Sequence, residues 1–249
     1  MLPTLPKTKI IATLGPKSSG RQTIRRLIEA GVAAFRLNLS HGELPEVAAT
    51  IATIRQLNDK VGREAAIILD LPGPKMRLGA LPEPLAVRRH DQVVFCRSCD
   101  QPTDALCLPH EIEELDKKVR PGEIIYIGDG MLQFKVLRRQ QGRIYTEALL
   151  PGLVRSHKGI NIPGYDLKAP SLTDYDRQCI AFGVDQRVDG ICVSFVGRPQ
   201  DIIAARRLLP DDPTYRPCLV AKIERRLAVE HFDAILAVAD AVMVARGDL

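Results

Sequence analysis

Residues 190–224 read GICVSFVGRPQDIIAARRLLPDDPTYRPCLVAKIE. This stretch predicts a strand at Gly190–Phe195, a helix at Pro199–Leu209 and a strand at Cys218–Glu224. That order implies two parallel strands joined by a right-handed crossover. The same alternation extends in both directions. Downstream, a helix is expected at about Ala228–Ala239 and a strand at Ala241–Ala245. Upstream, Ser171 or Thr173 can cap a helix that runs to about Gly183.

The N-terminal third repeats the pattern. Lys9–Leu14 reads as a strand stopped by Gly15-Pro16, and Ser18, Ser19 and Gly20 offer a cap for a helix with Ile24, Leu27 and Ile28 on one face. Gly31 ends that helix, Ala33–Asn38 is the next strand, and Val47, Ile51 and Ile54 mark a second amphipathic helix. Ala65–Leu71 (AAIILDL) is apolar almost throughout, as a strand buried on both faces should be. Between about Lys75 and Ala169 the pattern changes. Only Glu111–Val119 has a helical look, and short strands are expected at Gln92–Cys96, Glu123–Ile127, Leu132–Leu137 and Arg143–Leu149. Gly128-Asp129-Gly130 and Gln140-Gln141-Gly142 supply turns between them. The expected architecture is α/β: a parallel (β/α) barrel of the TIM type, residues 1–74 and 170–249, interrupted by a small β-domain at 75–169. Six barrel strands are expected where a closed barrel has eight.

The chain has 249 residues, 45% apolar and 26% charged, with a net charge of +5. Those proportions exclude a disordered chain or a fibre. The longest apolar stretch, Ala234–Ala245, contains Asp240 and is too short for a bilayer, so no membrane span is expected. Residues 1–17 carry no secretory pattern, and a cytoplasmic location is expected. With no Trp and 4% aromatics, nucleic acid is not an expected partner, whereas the positive balance suits small anions. Six cysteines, at 96, 99, 107, 179, 192 and 218, are read as thiols. Cys96-x-x-Cys99 followed by Cys107-x-x-His110 has the ligand types of a zinc site, but the connection between the pairs is short for a zinc knuckle. The favoured reading is a strand end plus loop residues.

In a parallel barrel, reactive groups gather at the C-terminal ends of strands. The polar residues there are Arg36, Asn38, Ser40 and His41, then Asp70, Ser194, Lys222 and Glu224, and finally Arg246, Gly247 and Asp248. Arg36, Asn38 and Ser40 share one face of an extended segment, as do Lys222 and Glu224. Carboxylates, arginines and a lysine on one rim suit a divalent cation with a phosphorylated anion. The plainer reading is that these charges pair with one another at a barrel mouth.

The same residues resemble pyruvate kinase. The segments that carry the likeness are TKIIATLGPKSS (8–19), AAFRLNLSHG (33–42), ILDLPGPKMRLG (68–79), IYIGDGML (125–132), SHKGINIPG (156–164), DGICVSFV (189–196), VAKIE (220–224) and MVARGDL (243–249). The resemblance implies phosphoryl transfer from phosphoenolpyruvate to ADP, giving pyruvate and ATP, as in glycolysis. It implies Mg²⁺ on Glu224 and Asp248, Lys222 over the migrating phosphoryl group and Arg36 on the phosphate. Ser194 and Gly247 would contact substrate. His41, Arg77, Lys158 and Asn161 would lie towards the nucleotide, the last two carried by a lid. Asn38, Ser40 and Asp70 would form a monovalent-cation pocket.

The chain departs from the family at several points. Leu71 and Lys75 stand where potassium-dependent members have Thr and Glu, so the Lys75 ammonium is expected to replace K⁺. Pro72 and Leu78 are further differences without an evident consequence. The likeness ends at Leu249, short of two barrel units with a threonine-bearing strand and of the family's C-terminal domain. A fragment or truncated product is therefore expected, one that self-associates or needs a completing polypeptide and turns over poorly alone. The competing expectations are a non-catalytic subunit that binds Mg²⁺ and phosphoenolpyruvate, or a degenerate product. An aldolase-like enzyme is disfavoured because it has no use for the lid segments.

Overall fold

The structure is a computed structural model that describes residues 7–40, 42–74, 76–99, 105–110, 112, 115–128, 130–162 and 172–246. In chain order the first elements are β1 (Ile11–Leu14), α1 (Arg21–Glu29), β2 (Ala34–Asn38), α2 (Leu44–Val61) and β3 (Ala66–Asp70). Next come β4 (Leu85–Val87), β5 (Gln92–Cys96), β6 (Leu106–Pro109), α3 (Leu115–Lys118), β7 (Ile124–Ile127), β8 (Leu132–Gln140), β9 (Arg143–Ala148), β10 (Gly152–Val154) and β11 (Ile160–Asn161). Last are α4 (Asp174–Asp185), β12 (Gly190–Val193), α5 (Pro199–Arg206), β13 (Cys218–Ile223), α6 (Arg226–Glu230), α7 (Phe232–Leu236) and β14 (Ala241–Val244). The described residues divide into two compact units. One holds the chain up to Pro74 and from Leu172 onward, the other the segment from Met76 to Ile162.

The first unit is built on a six-stranded sheet in the order β1-β2-β3-β12-β13-β14, every pair parallel. This is the incomplete (β/α) barrel expected from the sequence. Register explains why its strands read as apolar runs and yet carry charge. Leu14, Leu37, Leu69 and Ile191 are neighbours across four strands, and all lie in one core with Ile24 and Ile28 of α1 and Ile51 and Ile54 of α2. The alternate positions project to the other face. There Thr13 pairs with Arg36, Asn38 with Asp70, and Asp70 with Cys192. Among the described residues β1 and β14 each have one strand neighbour, and apolar side chains stand exposed at these edges (Ile11 at 49%, Val244 at 58%).

Several local expectations need correction. Ser18 and Ser19 do not cap α1. Gly20 holds the N-cap without a side-chain bond, while Ser18 Oγ accepts from the Gly15 amide at 2.9 Å and closes the turn after β1. The single helix expected over Ala228–Ala239 is two short ones that meet at His231, whose φ of −107° and ψ of 19° lie in the sparsely populated bridge region. Of the two cap candidates before α4, Thr173 forms a capping box with Asp176, and Ser171 lies outside the described residues. Asp176 is fully buried, and its Oδ1 also accepts from the Gly73 amide at 2.9 Å.

Gly73 lies in the left-handed region at φ +66°, and a Cβ there would come within 2.8 Å of Ser194 Cβ and 2.9 Å of Phe195 Cδ2. Backbone strain and overlap then add. We expect Gly73→Ala to destabilise this unit by about 2–3 kcal/mol in urea titrations followed by far-ultraviolet circular dichroism. An unchanged midpoint would mean that the turn can move away from β12.

The second unit has its own core around Phe95 and Phe134, whose rings meet edge to face at 5.4 Å. Its six-stranded sheet runs β11-β7-β8-β9-β5-β6, with a two-stranded β4–β10 pair beside it. Gln141 and Gly142 both have positive φ (50° and 74°), as a two-residue hairpin turn between β8 and β9 requires. The Gly128-Asp129-Gly130 turn includes Asp129, outside the described residues. The cysteines are not all thiols: Cys99 and Cys107 form a disulfide across a Cα–Cα distance of 5.9 Å. The expectation of thiols rested on redox compartment, and the local chain instead brings these two within bridging range. No described helix is long and apolar enough to cross a membrane.

Candidate active site

The charged residues of the barrel sheet's second face meet at the C-terminal ends of β2, β3, β12 and β13. Lys222 is the hub. Its Nζ lies 2.7 Å from Glu224 Oε1 and 3.3 Å from Asp70 Oδ1, and it donates to Ser194 Oγ at 2.9 Å. Arg36 closes the other side: its Nε and Nη2 both donate to Asp70 Oδ2, the Nε contact at 2.8 Å, while Nη1 donates to Thr13 Oγ1 at 3.0 Å. Two cations thus face two carboxylates. Asp70, Lys222 and Glu224 are all under 9% exposed, and Arg36 retains access to solvent with 23% of its side chain. The plainer sequence reading, charges paired at a barrel mouth, describes these contacts correctly. The arrangement also leaves an arginine at the open edge of a buried lysine–carboxylate cluster, where an anion can reach it.

The electrostatics follow from the packing. Burial disfavours the Lys222 ammonium, but Asp70 and Glu224 outweigh it and hold its pKa above the ordinary lysine value of 10.5. Cys192, one strand over, is the opposite case. Burial, and then the Asp70 carboxylate, push its thiol up to about 12 against the pull of Lys222 and Arg36. Cys192 therefore sits beside the cluster as a neutral thiol.

Local backbone geometry aims Glu224. Its Oε2 accepts from the Phe195 amide at 2.7 Å, and Phe195 adopts a left-handed φ of +53°. Such a conformation is unfavourable for an aromatic residue and persists only when its surroundings impose it. Here Glu224 holds the amide, and Arg225 Nη1 donates to the Phe195 carbonyl at 3.1 Å. Ser194 Oγ is fixed in turn by the Leu71 carbonyl at 2.7 Å. Asn38 and Ser40 lie on the same rim, but Asn38 Oδ1 is occupied by the Ser40 amide at 3.0 Å. Sequence reasoning missed Thr13, Phe195, Arg225 and Gly73.

Not every candidate joins this cluster. Arg77, Lys158 and Asn161 belong to the second unit. There Arg77 donates to the His157 carbonyl at 3.1 Å, and Lys158 and Asn161 are exposed. His41, Lys75, Gly247 and Asp248 lie outside the described residues. Of the zinc candidates, Cys96, Cys99 and Cys107 come together with sulfurs within 4.8 Å of one another, and His110 is not among them. His110 directly follows β6, bridged to Leu78, and its odd spacing from Cys107 turns it to the face of Leu108. It is buried there, and neither ring nitrogen meets a partner in hydrogen-bond geometry among the described residues.

Comparison with known proteins supplies the frame for this geometry. Residues 5–249 match the family described as pyruvate kinase, barrel domain. A pyruvate kinase of Thermococcus litoralis is 40% identical over 244 residues, covering 98% of this chain and 51% of its own length. One from Agrobacterium vitis is 38% identical with the same coverage, and one from Clostridium acetobutylicum is 33% identical, covering 98% of this chain and 52% of that protein. The chain spans about half the length of the curated relatives it matches. With buried Lys222 between Glu224 and Asp70 and Arg36 at the rim, on an incomplete parallel barrel, the chain belongs to the pyruvate kinase family.

Proposed function

We propose that this barrel transfers a phosphoryl group between phosphoenolpyruvate and ADP. The observation that carries the reading is the position of Lys222 Nζ, 2.7 Å from Glu224 and 3.3 Å from Asp70, with Arg36 beside it at the solvent edge. Phosphoryl transfer needs positioning and charge neutralisation more than a protein nucleophile. Arg36 holds the phosphate of the incoming substrate. Lys222 turns its ammonium to the equatorial oxygens as the bond from phosphorus to the enol oxygen breaks and a bond to the terminal ADP oxygen forms. The enolate left behind takes a proton at its methylene carbon and becomes pyruvate.

The donor set fits Mg²⁺ on its own chemistry. Glu224 offers carboxylate oxygens held by an amide and an ammonium, and hard oxygens are what this ion prefers. Glu224, with Asp248 as second ligand, would hold the ion, which when bound supplies charge neutralisation for the phosphate and enolate oxygens. Ser194 and Gly247 contact substrate, and His41, Arg77, Lys158 and Asn161 serve the nucleotide. Asn38, Ser40 and Asp70 line the monovalent-cation pocket, whose charge the Lys75 ammonium supplies. The reaction is placed in the cytoplasm.

The test is a lactate-dehydrogenase-coupled assay on the full-length gene product. We expect pyruvate formation that needs phosphoenolpyruvate, ADP and Mg²⁺ and that persists in buffers free of K⁺. A strict K⁺ requirement would refute the Lys75 assignment alone. Calorimetric binding of Mg²⁺ and phosphoenolpyruvate without turnover would replace the enzyme with a binding subunit.

A further inference from the structure

The second unit gathers three sulfurs that phosphoryl transfer does not use. Cys96 ends β5, and Cys107 lies on the neighbouring strand β6, where register pairs Cys96 with Pro109 and Val94 with Cys107. Cys96 and Cys107 therefore project from one face of adjacent strands. Cys99 returns to them through a C-x-x-C loop. Cys96 Sγ is 2.8 Å from Cys107 Sγ and 3.5 Å from Cys99 Sγ. A disulfide accounts for two of these atoms but not for the crowding of a third against it. Three thiolates on one tetrahedral ion, each about 2.3 Å from it, stand about 3.8 Å apart, a triangle these three side chains can span once the disulfide is open. Cys96 is buried, Cys107 half-buried and Cys99 exposed, so one side of the group is open to solvent.

We propose that the reduced form of this unit binds a thiophilic divalent cation, Zn²⁺ in the first place, through Cys96, Cys99 and Cys107, with water in the fourth position. His110 takes no part, because strand alternation turns it to the other face. Reduction of the Cys99–Cys107 bond takes two electrons from an added phosphine, which is oxidised to its oxide with oxygen from water, and two protons from that same water. Zn²⁺ then displaces the three thiol protons. The disulfide and the metal site are two alternative states of the same sulfurs, and neither depends on the barrel chemistry.

The experiment uses the full-length gene product, reduced with a phosphine under argon and titrated with Co²⁺ and then Zn²⁺. We expect a sulfur-to-cobalt charge-transfer band that Zn²⁺ abolishes, and one Zn²⁺ per chain by elemental analysis after gel filtration. Cys96→Ser, Cys99→Ser and Cys107→Ser should each weaken binding at least about tenfold, a loss that even an outer-shell partner can cause. His110→Ala and Cys218→Ser should leave it unchanged. Should a variant fail to fold, alkylation of the wild-type protein gives the same answer: Zn²⁺ should protect Cys96, Cys99 and Cys107 together, as read by peptide mass spectrometry. Absence of the charge-transfer band, binding that survives Cys99→Ser/Cys107→Ser, or no alkylation protection would overturn the proposal.

Discussion

Lys222→Met is expected to cost the folded barrel about 3–5 kcal/mol and to lower turnover by roughly 10²–10³. Methionine fills nearly the same volume, so the loss is electrostatic. The wild-type ammonium is shared by Asp70 and Glu224, both almost fully buried. Without it Asp70 keeps Arg36, but among the described residues Glu224 keeps only the Phe195 amide, and a buried carboxylate without a cation is costly. The pH dependence has a definite sign. The pKa of Lys222 in the folded state lies above its ordinary value of 10.5, so its contribution is complete below that pH and is lost as the pH rises through the folded-state value. The stability gap between wild type and Lys222→Met should therefore be flat from neutral pH to about 10 and close in stronger alkali. Urea midpoints over that range check it, and a gap that closes on acidification instead would assign the energy to another group.

Glu224→Gln is expected to lower turnover by a similar factor for a different reason. The amide keeps the shape and can still accept from Phe195 N, so the left-handed turn at Phe195 should survive. The negative charge that pairs with Lys222 and would hold a divalent ion is lost. The sign of the stability change follows from the hub: Lys222 retains Asp70 at 3.3 Å, so the cost should be well below that of Lys222→Met. The discriminating readout is Mg²⁺ itself. The concentration needed for half-maximal activity should rise at least about tenfold, while the unfolding midpoint moves little. A stability loss equal to that of Lys222→Met, with unchanged Mg²⁺ response, would make Glu224 a structural residue only.

Most of the barrel was legible because its strands and helices are long enough to show a period. AAIILDL reads as a buried strand, and the structure adds what a one-dimensional reading cannot: alternate positions of these apolar runs face a polar rim. The rim residues were found by listing what stands at strand ends, which works because parallel register brings those ends level. The partners missed have no local signal. Thr13 is a lone hydroxyl inside an apolar strand, and it matters only because register sets it against Arg36. Nothing in a phenylalanine announces a left-handed backbone at Phe195. Gly73, between Pro72 and Pro74, is readable as a turn, but its tight neighbour, Ser194, is remote in sequence. In the second unit β4, β6, β10 and β11 have two to four residues each, too few for alternation to emerge, and β6 carries a proline that an edge strand tolerates. His110 shows the limit of spacing arguments: it sits where a zinc pattern wants a ligand, and strand alternation turns it away.

The most direct test of the central claim is the anomalous-difference density of crystals of the full-length gene product soaked with Mn²⁺ and phosphoenolpyruvate. A metal peak is expected against the Glu224 carboxylate, with phosphate density between Arg36 and the Lys222 ammonium. Metal and phosphate bound away from this rim, with the Lys222 ion pairs to Asp70 and Glu224 undisturbed, would contradict it.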